Sequence, residues 1–288
     1  MEDFFNYRRR KSSIVNIGNT PLGGDNPIRI QSMANVSTMD TDAAVCQAIR
    51  MIEAGAEYVR FTAQGEREAR NLGVIRKQLS EAGYTTPLVA DIHFNPRAAD
   101  AAAEEVEKVR INPGNYVDKV KTFDLLEYTD EEYAAELQKI RDRFIPFLNI
   151  CKAHGTAIRI GVNHGSLSDR IMSRYGDTPE GMVASCMEFL RICRDENFPD
   201  VVISIKASNT VVMVKTVRLL VRTMEAEEMY YPLHLGVTEA GDGEDGRIKS
   251  AVGIGALLSD GIGDTIRVSL SEDPEAEIPV ARKLVDYI

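Results

Sequence analysis

The feature of this sequence that most constrains its fold is a repeated alternation of short aliphatic strands with amphipathic helices. The clearest unit spans residues 233–269, where two strand-like segments flank a helix of the length that joins parallel strands. In the first segment Leu233, Leu235 and Val237 alternate with polar or small residues. Because successive side chains of a strand point to opposite faces, each such segment has one apolar face and one face that can carry polar chemistry.

The same unit recurs along the whole chain. We predict strands at 28–33, 58–62, 87–94, 109–112, 157–163 and 201–208, with two more inside 233–269. We predict helices at 42–54, 66–82, after Asn95-Pro96, at 130–154 and 180–196, up to 225, inside 233–269, and at 279–288. Strands that alternate with helices form a parallel sheet, and eight such units in 288 residues match a (β/α)8 TIM barrel. A doubly wound open sheet is the alternative architecture, but no glycine fingerprint of a dinucleotide-binding fold follows the first strand.

Two further features concern domain organisation. Residues 13–17 and 20–23 flank Gly18-Asn19 and predict a short N-terminal hairpin that plugs one end of the barrel. The connection between the fourth and fifth strands is longer than the others, and we expect an inserted turn before its helix. No low-complexity linker divides the chain, so we predict one domain over residues 1–288.

Composition excludes several functional classes. A formal net charge of −10 argues against a nucleic-acid surface. The N-terminus lacks the apolar core of a signal peptide, and no segment approaches the ~20 apolar residues of a membrane span. The cysteines Cys46, Cys151, Cys186 and Cys193 show no metal-binding spacing, so we predict no metal site in this chain and a cytoplasmic location.

The polar face of the predicted strands is unusually cationic. It offers Arg60, Arg110, Arg159, Lys206 and Arg267, against the acids Asp91 and Glu239 alone. Any single arginine could be explained by an internal ion pair, but the set has too few acids. Since buried charges without partners are costly, the missing negative charge is expected to come from a polyanionic small ligand at the carboxyl ends of the strands. Arginine suits phosphate because its planar fork donates two parallel hydrogen bonds.

For other polar residues at the strand ends, the sequence leaves two roles open. His93, two residues after Asp91, is as plausible a ligand contact as a structural support, whereas His234 lies early in its strand and is expected to pack internally. Glu239 is either an acid–base group or a salt-bridge partner of one of the cations. Ser269 falls in the loop after the eighth strand, where barrels often bind phosphate.

Several motifs together resemble the family of 4-hydroxy-3-methylbut-2-enyl diphosphate synthase, from about residue 12 to the C-terminus. They are Gln31-Ser32-Met33, Val59-Arg60, Ala90-Asp91-Ile92-His93-Phe94, Arg110-Ile111-Asn112-Pro113-Gly114-Asn115, Arg159-Ile160-Gly161-Val162-Asn163, Ser204-Ile205-Lys206, residues 236–241, residues 249–255 and residues 261–269. The resemblance implies a TIM barrel that binds 2-C-methyl-D-erythritol 2,4-cyclodiphosphate, and a C-terminal domain with a [4Fe-4S] cluster that opens the ring reductively in isoprenoid biosynthesis.

The resemblance also implies roles for individual residues. Six would hold the diphosphate: Arg60, Arg110, Arg159, Lys206, Arg267 and Ser269. Five would orient it: Asp91, His93, Asn112, Asn163 and Thr238. Glu239 would be the catalytic, proton-handling residue, ferredoxin or flavodoxin would supply electrons, and a homodimer is left open.

One departure from the family is large. The chain has no C-terminal cysteine motif, so we expect it to be the barrel portion of a longer enzyme, binding no cluster and inactive alone. Two alternatives stay open. One is a pterin-binding barrel of the dihydropteroate synthase type, and the other is a binding module without turnover.

Overall fold

A computed structural model describes residues 6–118 and 127–288 of the chain. Its strands are β1 Arg29–Met33, β2 Tyr58–Thr62, β3 Leu88–Asp91, β4 Lys108–Ile111, β5 Ala157–Asn163, β6 Val201–Lys206, β7 His234–Leu235 and β8 Thr265–Ile266. Its helices are α1 Thr41–Glu53, α2 Glu66–Glu81, α3 Pro96–Glu105, α4 Pro113–Tyr116, α5 Asp130–His154, α6 Asp169–Tyr175, α7 Pro179–Asp195, α8 Thr210–Ala226, α9 Gly243–Ser259 and α10 Pro274–Asp286.

The strands pair in parallel in the order β6-β5-β4-β3-β2-β1-β8-β7. A single parallel bridge between Ile203 and Leu233 joins β6 to β7 and closes the circle. The predicted (β/α)8 barrel is therefore confirmed, and the open doubly wound sheet is not formed.

Local sequence signals explain where most helices begin. Asn95 caps α3 by accepting a hydrogen bond from the Arg97 amide, with Pro96 in the first helical position as predicted. Thr129 caps α5 in a capping box with Glu132. The inserted turn expected before α5 lies largely in residues 119–126, outside the described residues.

The apolar faces of the strands pack against the helices, as the alternation predicts. The other, inward-facing phase closes the amino-terminal end of the barrel with a small apolar cluster under the predicted hairpin. Val15 pairs antiparallel with Leu22 across the hairpin, and the Tyr58 hydroxyl donates to the carbonyl of Thr20. This apolar layer makes a closed floor, so the open end of the barrel is at the carboxyl ends of the strands.

Three boundary predictions were wrong in ways that bear on the site. β3 ends at Asp91, β7 at Leu235 and β8 at Ile266, so His93, Thr238 and Arg267 lie in the segments that follow these strands. Ser269 lies in the loop after β8, as predicted. The short helices α4 and α6 were not predicted. The last helix begins at Pro274 rather than at residue 279, because proline in the first helical position loses no hydrogen bond.

Among the described residues, no helix combines the length and apolarity needed to cross a membrane.

Candidate anion-binding site at the mouth of the barrel

The predicted cations do converge inside the barrel. Arg60, Arg110, Arg159 and Lys206 are 8%, 4%, 1% and 6% exposed, and Arg267 is partly buried just after β8. They project from different strands toward one axis because each occupies the inward phase of its strand. The barrel interior is thus filled with guanidinium groups where branched aliphatic side chains are usual.

Asp91 is the acid at the centre of this group. Its Oδ1 accepts from Arg110 Nη1 at 2.9 Å, and its Oδ2 lies 3.3 Å from Arg60 Nη2 and 3.0 Å from His93 Nε2. Burial alone would raise the pKa of Asp91, but the charges of Arg60 and Arg110 outweigh burial and hold that pKa well below its usual range. Asp91 is therefore a permanent anion that orients two arginines and His93.

A second internal acid, Glu277, was missed by sequence reasoning. It is 2% exposed and accepts from Arg267 at 3.2 Å (Nε) and 3.1 Å (Nη2). It also accepts from Ser32 Oγ at 2.8 Å and from the Leu270 amide at 3.1 Å. Glu277 lies in the first turn of α10. The predicted helix began at residue 279, so it did not include Glu277.

Two glycines make room for the cations. A Cβ at Gly161 would lie 2.5 Å from Arg110 Nε, and a Cβ at Gly236 would lie 2.8 Å from Lys206 Nζ. Gly161 lies in β5 and Gly236 directly follows β7, and the Gly161 carbonyl accepts from Arg110 Nη2 at 2.9 Å. Glycine is required here because the long cationic side chains cross the neighbouring strand.

Even with Glu277, the cations outnumber the acids. No carboxylate of the described residues lies within salt-bridge distance of Arg159 or Lys206, and Arg159 Nε and Nη2 are buried without hydrogen-bond partners there. Lys108 is a further buried cation that the sequence prediction missed, because the fourth strand was started one residue too late. Its spacing of two residues from Arg110 was the signal that could have found it. The expected excess of internal positive charge is present.

The remaining predicted residues lie around this centre with different exposure. Asn112 is buried and occupied: its Oδ1 accepts from the Gly114 amide at 3.2 Å, and its Nδ2 donates to Ser166 Oγ at 2.9 Å. Asn163, Thr238 and Ser269 are partly exposed at the carboxyl ends of their strands. Asn112 thus shapes the loop after β4, whereas the other three face the opening.

Glu239 stands apart from the buried charges. It is exposed in the turn after β7, forms no ion pair with any described residue, and has a backbone φ of 52°. A left-handed conformation is unfavourable for a residue with a Cβ, and such strain is often found at functional positions. The salt-bridge alternative for Glu239 is not seen among the described ion pairs.

A cleft of about 730 Å³ lies beside these groups at the β8 side of the mouth. Its walls include Met33, Arg267 and Glu277, together with the loop that runs from Leu270 into α10. Arg267 is therefore reachable from solvent at the edge of the cationic centre.

The cysteines do not fit an iron–sulfur cluster. Cys46 is exposed on α1, and Cys151, Cys186 and Cys193 are buried between helices, where burial raises the pKa of all three thiols. Cluster ligation requires thiolates, which that environment disfavours. No group of three or more potential metal ligands occurs within residues 6–118 and 127–288.

These features define a (β/α)8-barrel protein with a cationic, acid-poor mouth. The chain belongs to the GcpE TIM-barrel domain family, whose sequence model matches residues 12–282.

Named relatives agree with that assignment. The chain is 90% identical over 285 residues to 4-hydroxy-3-methylbut-2-en-1-yl diphosphate synthase (flavodoxin) of Parabacteroides distasonis, a match that covers 99% of this chain and 47% of the relative. It is 66% identical to the protein of the same name from Porphyromonas gingivalis, covering 100% of this chain and 49% of that one. The chain therefore spans about half the length of the curated relatives that it matches.

Solved structures show the fold alone. Dihydropteroate synthase of Stenotrophomonas maltophilia superposes with a TM-score of 0.60 at 14% identity, covering 96% of this chain and 97% of that one. The sialic acid synthetase of Leptospira borgpetersenii superposes with a TM-score of 0.59 at 13% identity, covering 97% and 88%.

Proposed function

We propose that this chain is the substrate-binding barrel of an enzyme that reductively opens 2-C-methyl-D-erythritol 2,4-cyclodiphosphate to 4-hydroxy-3-methylbut-2-enyl diphosphate. The names of its relatives support this reaction, and one observation supports the substrate class. The mouth of the barrel gathers more buried cations than acids, with guanidinium hydrogen bonds left unused. A diphosphate supplies both the negative charge and the acceptor oxygens that this arrangement lacks.

In this proposal the substrate lies across the carboxyl ends of the strands. The groups that hold its phosphates are Arg60, Arg110, Arg159, Lys206, Arg267 and Ser269. Asp91 keeps its two arginines aligned, and Glu277 does the same for Arg267. Asn163, His93 and Thr238 orient the ligand from the rim, and Asn112 acts through the loop that it caps.

Glu239 is proposed as the proton donor to the departing hydroxyl group. It is exposed at the mouth, and a carboxylate close to a diphosphate would repel the substrate, so substrate retention is a poor use for it. The described residues offer no ligand set for the cluster of the family, so we assign to them only binding and protonation. Flavodoxin, named with the relatives, is the proposed electron donor, and the cytoplasm is the proposed location.

The dihydropteroate synthase alternative has only the shared fold in its favour. The second alternative, a binding module without turnover, would apply to this chain if it binds the substrate but receives no electrons.

Calorimetric titration with the cyclodiphosphate tests the proposal. A hydrogen bond to a charged group contributes about 1.5–3 kcal/mol, so Arg110→Ala should weaken binding roughly 10- to 100-fold. Asp91 keeps Arg60 and His93 as partners in that variant, and the fold should survive.

The matched control is Arg76→Ala, which removes an exposed arginine from α2 that pairs with Glu107. This variant should bind like the parent chain. Equal affinities for the Arg110 variant and the parent would locate the anion site elsewhere, and no binding by the folded parent chain would reject the proposed substrate.

A further inference from the structure

A second layer of polar side chains lies deeper in the barrel than the predicted site. Its members are Lys108 of β4, His234 of β7, Thr265 of β8 and Gln31 of β1, which are 0%, 1%, 0% and 1% exposed. Each occupies the inward phase of its strand, and Lys108 precedes Arg110 by two residues on the same face. The layer is therefore below the groups assigned to the diphosphate.

The pairing of the strands brings these groups together. The bridge between Ile203 and Leu233 sets Ser204 beside His234, and Arg159 Nη1 donates to Ser204 Oγ at 2.7 Å. Burial lowers the pKa of His234, and the charges of Lys206, Arg159 and Lys108 lower it further. His234 and Lys108 thus lie near each other inside the barrel, one step below Arg159.

The apolar floor lies directly below this layer. Lys108 Nζ lies 4.2 Å from the ring centre of Tyr58, whose neighbours on the floor are Val89, Ala157 and Val202. A cation over an aromatic face is stabilised, but the ring accepts no ordinary hydrogen bond from the remaining ammonium protons. Because the exposure of the whole layer is negligible, a ligand bound there would be enclosed by side chains and separated from bulk solvent.

The layer has an excess of unused hydrogen-bond donors. The following atoms have no hydrogen-bond partner among the described residues: Lys108 Nζ, both ring nitrogens of His234, the amide N and O of Gln31, and Thr265 Oγ1. A buried polar group left unpaired costs about 1–3 kcal/mol, so a set of this size requires an occupant.

The occupant must also compensate the buried positive charge. The internal acids are already engaged, Asp91 by Arg60 and Arg110 and Glu277 by Arg267. Burial, and then the charges of Arg159 and Arg60, lower the pKa of Lys108. A bound anion would keep the Lys108 ammonium charged and compensated, which water would not do, because buried unpaired charges are more costly than buried dipoles.

We propose that this polar layer binds one small monovalent inorganic anion of halide size, which its side chains can enclose. Lys108 is its charged partner, with donors from Gln31, Thr265 and the neutral ring of His234 around it. The anion compensates the deepest cations and fixes the side chains that support the mouth. The inference does not depend on which substrate binds above.

Bromide is the probe. Crystals of the chain grown or soaked in sodium bromide should show an anomalous peak within hydrogen-bond distance of Lys108 Nζ. In thermal unfolding at matched ionic strength, sodium bromide should raise the Tm about 2–4 °C above sodium gluconate, whose anion is too large to enter. Lys108→Met should abolish this difference, whereas Lys215→Met, which removes an exposed lysine from α8, should retain it.

The proposal is overturned if the anomalous map of the parent chain shows no bromide in the lumen, or if bromide and gluconate stabilise it equally. It is also overturned if the folded Lys108 variant keeps the full bromide effect. Should that variant fail to fold, the map of the parent chain decides. Titration with the cyclodiphosphate is read separately, so either proposal can fail while the other stands.

Discussion

At the scale of single residues, the internal acids decide how the cations are presented. Asp91 and Glu277 each accept several hydrogen bonds and are almost fully buried, so neither can turn toward a ligand. Their role is to fix the guanidinium planes of Arg110 and Arg267. Because Arg159 and Lys206 have no such acid, a bound anion interacts with them at full strength, without competition from an internal partner.

Glu239 is the residue whose role differs most from these. Its φ of 52° costs on the order of 1 kcal/mol, so the rest of the turn after β7 must hold this residue in place.

We predict that Glu239→Gln affects catalysis far more than binding. In a full-length, cluster-loaded enzyme that contains this barrel, the variant should bind the cyclodiphosphate within a few-fold of the parent, because the carboxylate does not hold the phosphates. Ring opening should slow by about 10²–10⁴, the usual contribution of general acid–base catalysis. The measurements are calorimetric affinity and single-turnover rate.

Glu239→Gly is the matched control for the backbone. This substitution removes the backbone strain and the carboxyl group together. The glycine variant should therefore be at least as stable as the parent, and its ring opening should be as slow as that of the glutamine variant. Normal turnover by the glutamine variant combined with weak binding would instead make Glu239 a structural partner of the cations.

At the scale of elements, the long cations fit inside the barrel only because glycines on neighbouring segments leave space for them. Gly161 of β5 and Gly236 after β7 leave space for Arg110 and Lys206. The two strands β7 and β8 are short, so that the chain leaves the sheet early and forms the rim of the mouth.

We predict that Gly161→Ala displaces Arg110 from Asp91. The added methyl group would lie 2.5 Å from Arg110 Nε and 3.2 Å from Ser204 Oγ, so the arginine has to move. Overpacking of a buried site costs about 1–3 kcal/mol, and cyclodiphosphate affinity should fall roughly tenfold. Urea unfolding and calorimetry measure the two effects.

Gly255→Ala provides the comparison. A Cβ there meets no described atom within 4 Å, and the residue lies within α9, where alanine is favoured over glycine by about 0.5–1 kcal/mol. This variant should be slightly more stable and bind normally. If the Gly161 variant were equally stable and bound normally, Arg110 would not need the space that glycine leaves, and the prediction would be wrong.

At the scale of the whole molecule, the buried positive charge makes stability depend on pH. Burial first, and then nearby cations, lower the pKa of His234 well below its ordinary value of 6.5. The unfolded chain therefore binds a proton at a pH where the folded chain does not. The contribution of His234 to the unfolding free energy is fully present above pH 6.5. It is lost as the pH falls from there toward the folded-state pKa.

We predict that His234→Gln removes part of this dependence. Between pH 7.5 and 5.5 the parent chain should lose about 1 kcal/mol more of its unfolding free energy than the variant, since one pKa unit corresponds to about 1.4 kcal/mol. The test is urea unfolding at both pH values. His154→Gln, at an exposed position, should lose as much as the parent, and an identical loss in the His234 variant would mean that His234 is protonated in the folded chain.

The sequence by itself determined the barrel and most of the cationic centre. Strand alternation is a local property, so it was sufficient to assign Arg60, Arg110, Arg159 and Lys206 to the interior. Helix starts such as Asn95-Pro96 were equally readable, because capping depends on neighbouring residues alone.

Only the tertiary structure decided which charges are compensated. Glu277 is ten residues from Arg267 and more than two hundred from Ser32, and its contact with both depends on how α10 packs against the barrel. Lys108 and His234 are likewise joined only by closure of the sheet. Local pattern fixes the face of a strand on which a side chain lies, whereas the partners of a buried charge depend on long-range packing, which no periodicity encodes.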